Sequence, residues 1–317
     1  MHPTENSRPK STGAFRSELM VIASALLFGT SGTVMAFAPV GAVPAIIGTL
    51  RLVVGGPFLL VITLINRRSV SCWRLPVLPL LCAAGGTAIF QLCFFEAIAR
   101  TGVAVGTIVS IGSTPVIAGI IGWMVRGEHL GGRWALSTAL AVGGCCLLSG
   151  FGGDLSIDFI GILFALGAAV AFAVFQVANK NMISGDNADV VMASVLSLGA
   201  VFLLPRLVFA DLSWIITVPG TALALYLGII ATAVPNLLFA RGLSVLPVSR
   251  ASTLGLAEPL IAGLLGILFL GERLGIAGIV GIALIFSGLT LLTVFPEKQP
   301  VIAVDSRFLL RPAALKE

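Results

Sequence analysis

The sequence predicts an all-α polytopic membrane protein of ten transmembrane helices, arranged as two inverted five-helix repeats. Three observations carry this. Charge is scarce, with 19 Lys and Arg and 14 Asp and Glu among 317 residues, or 10%, against about 25% in a soluble domain. Apolar residues make up 57% of the chain and its mean hydropathy is +1.08, too little polar surface to coat a particle in water. Finally, residues 113–149 match residues 257–293 without gaps at an offset of 144. A bilayer-spanning helix takes about 20 apolar residues, so ten of them leave only short loops and two tails. No soluble catalytic domain fits, and disordered, collagen-like and secreted disulfide-rich classes are excluded by the same composition.

Apolar runs bounded by charge, Pro or Gly set the spans at 19–38, 44–65, 76–96, 102–125 and 133–150, then 158–179, 188–207, 219–240, 247–270 and 275–295. The first two share one uncharged run, which Pro39, Gly41 and Pro44 split with a turn. Pro205 and Arg206 cut the seventh short. The division is a tail at 1–18, repeats at 19–150 and 158–295, and a tail at 296–317. The first eighteen residues lack the apolar stretch of a cleavable signal, so the first span is expected to direct insertion. With the N-terminus inside, fourteen Lys and Arg fall in cytoplasmic segments, while Arg100, Arg206 and Arg273 alone fall outside. This bias predicts a multi-pass protein of the plasma (inner) membrane with both termini cytoplasmic. The net charge of +5 is therefore a topology signal and not a nucleic-acid footprint.

In the repeat, fourteen of 37 aligned positions are identical, including Pro115/Pro259, Gly119/Gly263, Gly122/Gly266 and the polar pair Gly127-Glu128/Gly271-Glu272. Five spans per unit is an odd number, so the second unit enters the membrane upside down. Two like halves of opposite orientation are a device of secondary transporters. Gly102/Gly106, Ala118/Gly122 and Gly161/Ala165 read as small-residue pairs for close helix approach.

Further motifs are Leu26-Leu27-Phe28-Gly29 in span one, Leu50-Arg51 in span two, Pro115 in span four, Glu258-Pro259 in span nine, and Gly-Glu-x-Leu at 127–130 and 271–274. With these the chain resembles the EamA-type repeat of the drug/metabolite transporter superfamily over about 19–295. Phe28 stands where a Trp is common in that family. The resemblance implies ten helices around a central cavity, and often export of amino acids, related metabolites or toxic compounds.

Glu258 is expected about 16 Å into span nine, where an acidic group costs roughly 2.5–3.5 kcal/mol on insertion scales. Its repeat counterpart is Thr114. Glu258 either binds a cation or a coupling proton, or bonds the carbonyls that Pro259 leaves free. Arg51, about 10 Å into span two, either binds a substrate carboxylate or phosphate or is structural, paired with a carboxylate or capping a neighbouring helix end. Arg250 is expected to snorkel to the interface, and Glu96 and Arg100 to pair at the outer surface. Gln91, Gln176, Asn179 and Asn236 are embedded amides suited to a polar cavity or to interhelical bonds. Pro115 and Pro259 are the candidate hinges.

Expected partners are the lipid bilayer, a small-molecule substrate and, as candidate coupling ion, H+. No nucleic acid, cofactor or metal is expected; His2 and His129 lie in a tail and a loop. The alternatives to a carrier are a channel or non-transporting membrane component, and an intramembrane enzyme. Gly29-Thr30-Ser31-Gly32 matches a GxSG pattern, but an activated serine needs a base such as histidine and no span holds one. Every Asp falls in a loop or tail, and there is no P-loop.

Overall fold

In the computed structural model, which describes residues 10–65, 75–148, 158–184, 187–270 and 276–294, uninterrupted apolar sequence becomes helix throughout. This is what a bilayer demands, since a backbone in lipid must satisfy its own hydrogen bonds. The helices are α1 (Lys10–Met35), α2 (Pro44–Ile65), α3 (Val77–Arg126), α4 (Gly132–Leu148), α5 (Phe159–Met182), α6 (Ala188–Leu203), α7 (Val218–Leu225), α8 (Val234–Leu243), α9 (Val248–Leu254), α10 (Ala257–Leu270) and α11 (Ile276–Val294). Two 3-10 turns follow α6, and a π-helix, Tyr226–Ala233, joins α7 to α8.

Local chemistry explains the ends. Pro44 opens α2, where its missing N–H costs nothing. Asp158 caps α5 by accepting from Ile160 N (2.8 Å) and Gly161 N (3.1 Å). Gly127 closes α3 at φ +65°, a left-handed conformation that suits glycine. Large apolar side chains such as Leu78, Trp123, Ile279 and Phe286 are exposed on the outside of the bundle, as lipid contact requires.

Several expectations change. Among the described residues, eight stretches are long and apolar enough to cross a membrane, where ten were expected. The fifth span, α4, is only 17 residues long. The ninth breaks into α9 and α10 at Gly255–Leu256, because Pro259 has no N–H to offer the Gly255 carbonyl. Spans three and four lie in one helical assignment, α3, which still reverses direction. A Cβ added to Gly106 would lie 3.0 Å from the Ile98 nitrogen, whereas eight residues of straight helix separate two positions by about 12 Å. Helix α1 begins at Lys10, inside the expected tail. Its early turns are useful because Glu18 pairs with Arg250. Arg250 therefore does not snorkel; it is a partly buried tie that also donates to the Leu292 carbonyl at 2.6 Å. Loop 271–275, the inter-repeat segment 149–157 and the tail 296–317 lie outside the described residues.

The packing of α4 on α11 is reciprocal. A Cβ on Gly144 would meet the Gly281 oxygen at 2.6 Å and Ile285 at 2.8 Å; one on Gly288 would meet the Ser137 oxygen at 2.7 Å and Ala141 N at 3.1 Å. Gly288, Gly281 and Ile285 are the repeat counterparts of Gly144, Ser137 and Ala141 at offset 144. The contact thus maps onto itself, as across a two-fold axis. Early residues of one helix meet late residues of the other, so the two run antiparallel. Helix α2 meets α6 in the same antiparallel sense, with Gly56 against Leu196 and Ser197 and Leu52 near Gly199.

This crossing makes a prediction. A methyl group at Gly144 or Gly288 presses on a backbone oxygen that cannot rotate away. Gly144→Ala and Gly288→Ala should each destabilise by about 1–3 kcal/mol, lowering the melting temperature of the detergent-purified protein by several degrees. Gly143→Ala, whose Cβ has no neighbour within 4 Å, should leave it unchanged.

Candidate functional site

The π-helix sets one wall of a cavity in the middle of the bundle. Pro235, the second residue of α8, cannot donate to the Ala231 carbonyl four residues earlier. Arg51, reaching from α2, supplies the missing donor: Nη2 lies 2.9 Å from the Ala231 oxygen and Nε 2.8 Å from Thr232 Oγ1. Asn236 Nδ2 bonds the Thr232 carbonyl (2.9 Å), and Ser24 Oγ of α1 bonds the Pro235 carbonyl (2.7 Å). The guanidinium is thus oriented by the opposite half of the chain, with Nη1 left without a partner among the described residues.

Glu258 enters from the first turn of α10, directly after the helix break. Its own N–H, not its carboxyl, bonds the Gly255 carbonyl that Pro259 cannot use (3.0 Å). No described residue donates a hydrogen bond to the carboxyl. Gly29, the glycine of the span-one motif, lets α1 close on this turn: a Cβ there would sit 2.8 Å from the Glu258 backbone oxygen. Arg51 and Glu258 interact electrostatically across the cavity without approaching to a 4.0 Å ion pair.

All six candidate residues from the sequence, Glu258, Arg51, Gln91, Gln176, Asn236 and Thr114, line this one cavity. It holds about 90 Å³ of space for the centres of water-sized molecules, room for several waters or a small polar solute. Gln91 is partly committed, its Nε2 bonding the Gly48 carbonyl at 2.9 Å. Thr114 Oγ1 bonds Ser110 O at 2.7 Å, and α3 runs through Pro115 without a break. Gln176 Oε1 is buried with no partner among the described residues. Asn179, weighed with the other amides, is not on the cavity wall; its Nδ2 bonds Phe175 O.

Sequence reasoning missed the aromatic side of the site. Phe90, Phe94 and Phe172 form a contiguous wall, with ring centroids 5.2 Å apart for Phe90–Phe94 and 4.9 Å for Phe90–Phe172. Ser24, Thr87, Thr232 and Ser252 also line it. Nothing in an apolar run distinguishes a Phe that faces a cavity from one that faces lipid. The expected Glu96–Arg100 pair is present at 2.7 Å, with Asp158 3.6 Å from Arg100, and none of the three lines the cavity.

Fold and site together define a multi-pass helical membrane protein whose two halves enclose a polar, aromatic-walled cavity. The profile of the EamA-like transporter family matches residues 15–150 and again 159–294. The chain belongs to that family. It is 42% identical over 282 residues to the uncharacterized transporter YwfM of Bacillus subtilis strain 168, covering 89% of this chain and 95% of that one. A second uncharacterized transporter of the same organism, YvbV, is 28% identical over 196 residues, 60% of this chain and 63% of that one. A solved crystal structure superposes with a TM-score of 0.75 at 21% identity, over 88% of this chain and 96% of that one; at that identity the likeness speaks for the fold.

Proposed function

We propose that the protein is a secondary active transporter that exports a small metabolite, an amino acid or related compound, or a drug, by alternating access with a proton as the coupling ion. The observation that carries this is the cavity. Arg51 comes from one repeat and Glu258 from the other, and both point unpaired polar groups into a space large enough for a small solute. The self-mapping, antiparallel α4–α11 contact supports a pair of inverted repeats, 19–150 and 158–295. In this reading ten segments cross the bilayer. Seventeen residues of α4 make about 25 Å of helix, close to the hydrocarbon thickness, and α9 with α10 forms a discontinuous crossing of the kind that carries transporter sites. The cationic bias orients both terminal tails, 1–18 and 296–317, toward the cytoplasm of a plasma-membrane protein.

The test is flux in proteoliposomes loaded with candidate amino acids and related amines. A carrier driven by protons should concentrate its substrate against a gradient when a pH difference is imposed, and stop when an ionophore collapses it. Flux that only follows the substrate gradient, whatever the pH difference, would identify a channel instead.

A further inference from the structure

Helix α9 is buried along its length: Val248, Ser249, Ala251, Ser252, Thr253 and Leu254 are each at most 4% exposed. Its C-terminal part reaches the cavity through Ser252. Its N-terminus faces the end of the bundle that carries the α3–α4 loop. Helix α9 therefore lies between the cavity wall at Ser252 and the α3–α4 loop at Glu128. The helix packs on α1, α3, α4, α5, α8 and α11, so it acts as a plug between cavity and exit.

What fastens the plug comes from the other repeat. Glu128 Oε1 accepts from Val248 N at 2.9 Å, and Oε2 accepts from Ser249 N at 3.2 Å and Ser249 Oγ at 3.3 Å. Helix α4 adds Trp134 Nε1 to the Ser249 carbonyl (3.2 Å) and the Thr138 hydroxyl to that of Thr253 (2.9 Å). The Gly-Glu motif has the geometry for this. Gly127 turns the chain in the left-handed conformation, and Gly122 leaves room for the carboxylate to lie over α3; a Cβ there would be 2.9 Å from Glu128 Oε2. The Glu128 side chain is 9% exposed and also lies 3.7 Å from Arg126 Nε of its own repeat; none of its partners Arg126, Val248 and Ser249 lines the cavity, so substrate binding does not explain the motif.

We propose that Glu128 is the latch that holds this end of the transporter closed: its carboxylate ties α9 to the opposite repeat, and alternating access at this end requires that tie to break. The inference rests on the transporter reading, and its test needs no substrate. A single cysteine replaces Ala25, a small residue 2% exposed on the cavity wall, in a chain whose five native cysteines are changed to alanine. Its labelling by a membrane-impermeant maleimide is measured from each side of the membrane. The latch side is identified separately as the one from which His129→Cys, an exposed position, reacts.

Glu128→Gln keeps the length but places an amide against backbone donors. Losing one charge-assisted hydrogen bond shifts a two-state equilibrium about tenfold or more. Labelling from the latch side should therefore rise about tenfold, and labelling from the far side should fall. Glu128→Asp, which keeps the charge one methylene short, should lie between. Unchanged rates overturn the proposal. So does a rise from both sides, which would mean that Glu128 merely holds the fold together. Absence of flux together with the expected Glu128→Gln change in labelling would count against the transporter reading alone, because control of access at this end by Glu128 would still have been measured.

Discussion

Glu258→Gln is expected to abolish proton-driven accumulation while preserving folding and substrate exchange. Glutamine keeps the shape and removes the titrating group. A structural carboxyl would be bonded to the carbonyl that Pro259 frees, but that carbonyl already accepts from the Glu258 backbone N–H. The carboxyl itself faces the cavity, with no described donor on it. In the proposed function this is the group that exchanges a proton with substrate, a role open to a carboxyl on the cavity wall and closed to one locked into helix structure. The measurement is uptake into proteoliposomes with and without an imposed pH difference, across a range of external pH. Wild type should show accumulation that depends on pH. The variant should show counterflow exchange alone, with a flat profile. A variant that still concentrates substrate with unchanged pH dependence returns Glu258 to a role in the α9–α10 break.

Arg51→Lys should raise the substrate concentration for half-maximal transport by about 10- to 100-fold, the equivalent of a charge-assisted hydrogen bond at roughly 1.5–3 kcal/mol. Lysine keeps the charge, but it cannot hold Ala231 O and Thr232 Oγ1 while turning a third nitrogen to the cavity, because it lacks the planar fork. Thr232→Val separates the two roles of the residue. It removes the bond that orients Nε and leaves the guanidinium in place, so its effect on half-saturation should be smaller, within about tenfold. Initial rates against substrate concentration read both variants, alongside melting temperature. If Arg51→Lys lowers stability and leaves half-saturation unchanged, Arg51 serves the π-helix and not the substrate.

The two residues with the largest expected effects were visible as isolated charges in apolar runs, and this is general for a membrane protein. The energetic cost of a charge in lipid makes it conspicuous without any structure. The partners were not visible. That Arg51 fills a vacancy left by Pro235, 184 positions away, depends on α2 lying against the π-helix. Glu18 illustrates the same limit. Its place in the polar segment before the first apolar run gives no sign of burial, yet it is 3% exposed and paired with Arg250, because α1 begins earlier than its hydropathy suggests. A helix that packs on protein at its end need not wait for the apolar run to start.

The sequence by itself determined the class of the protein, the approximate places where helices cross, the orientation bias of its charges and the existence of a repeat. Each of these follows from one-dimensional quantities: hydropathy over about 20 residues, the tally of Lys and Arg in loops, and identity at a fixed offset. Tertiary structure alone decided which phenylalanines face the cavity, what Arg51 holds on the π-helix, and what the Gly-Glu motif holds. Those features arise from contacts between segments far apart in the chain, as in the stacking of Phe90 on Phe172 and the bond from Val248 N to Glu128. Hydropathy cannot report them, because an apolar or small residue has the same one-dimensional signature whether it faces lipid, another helix or a cavity.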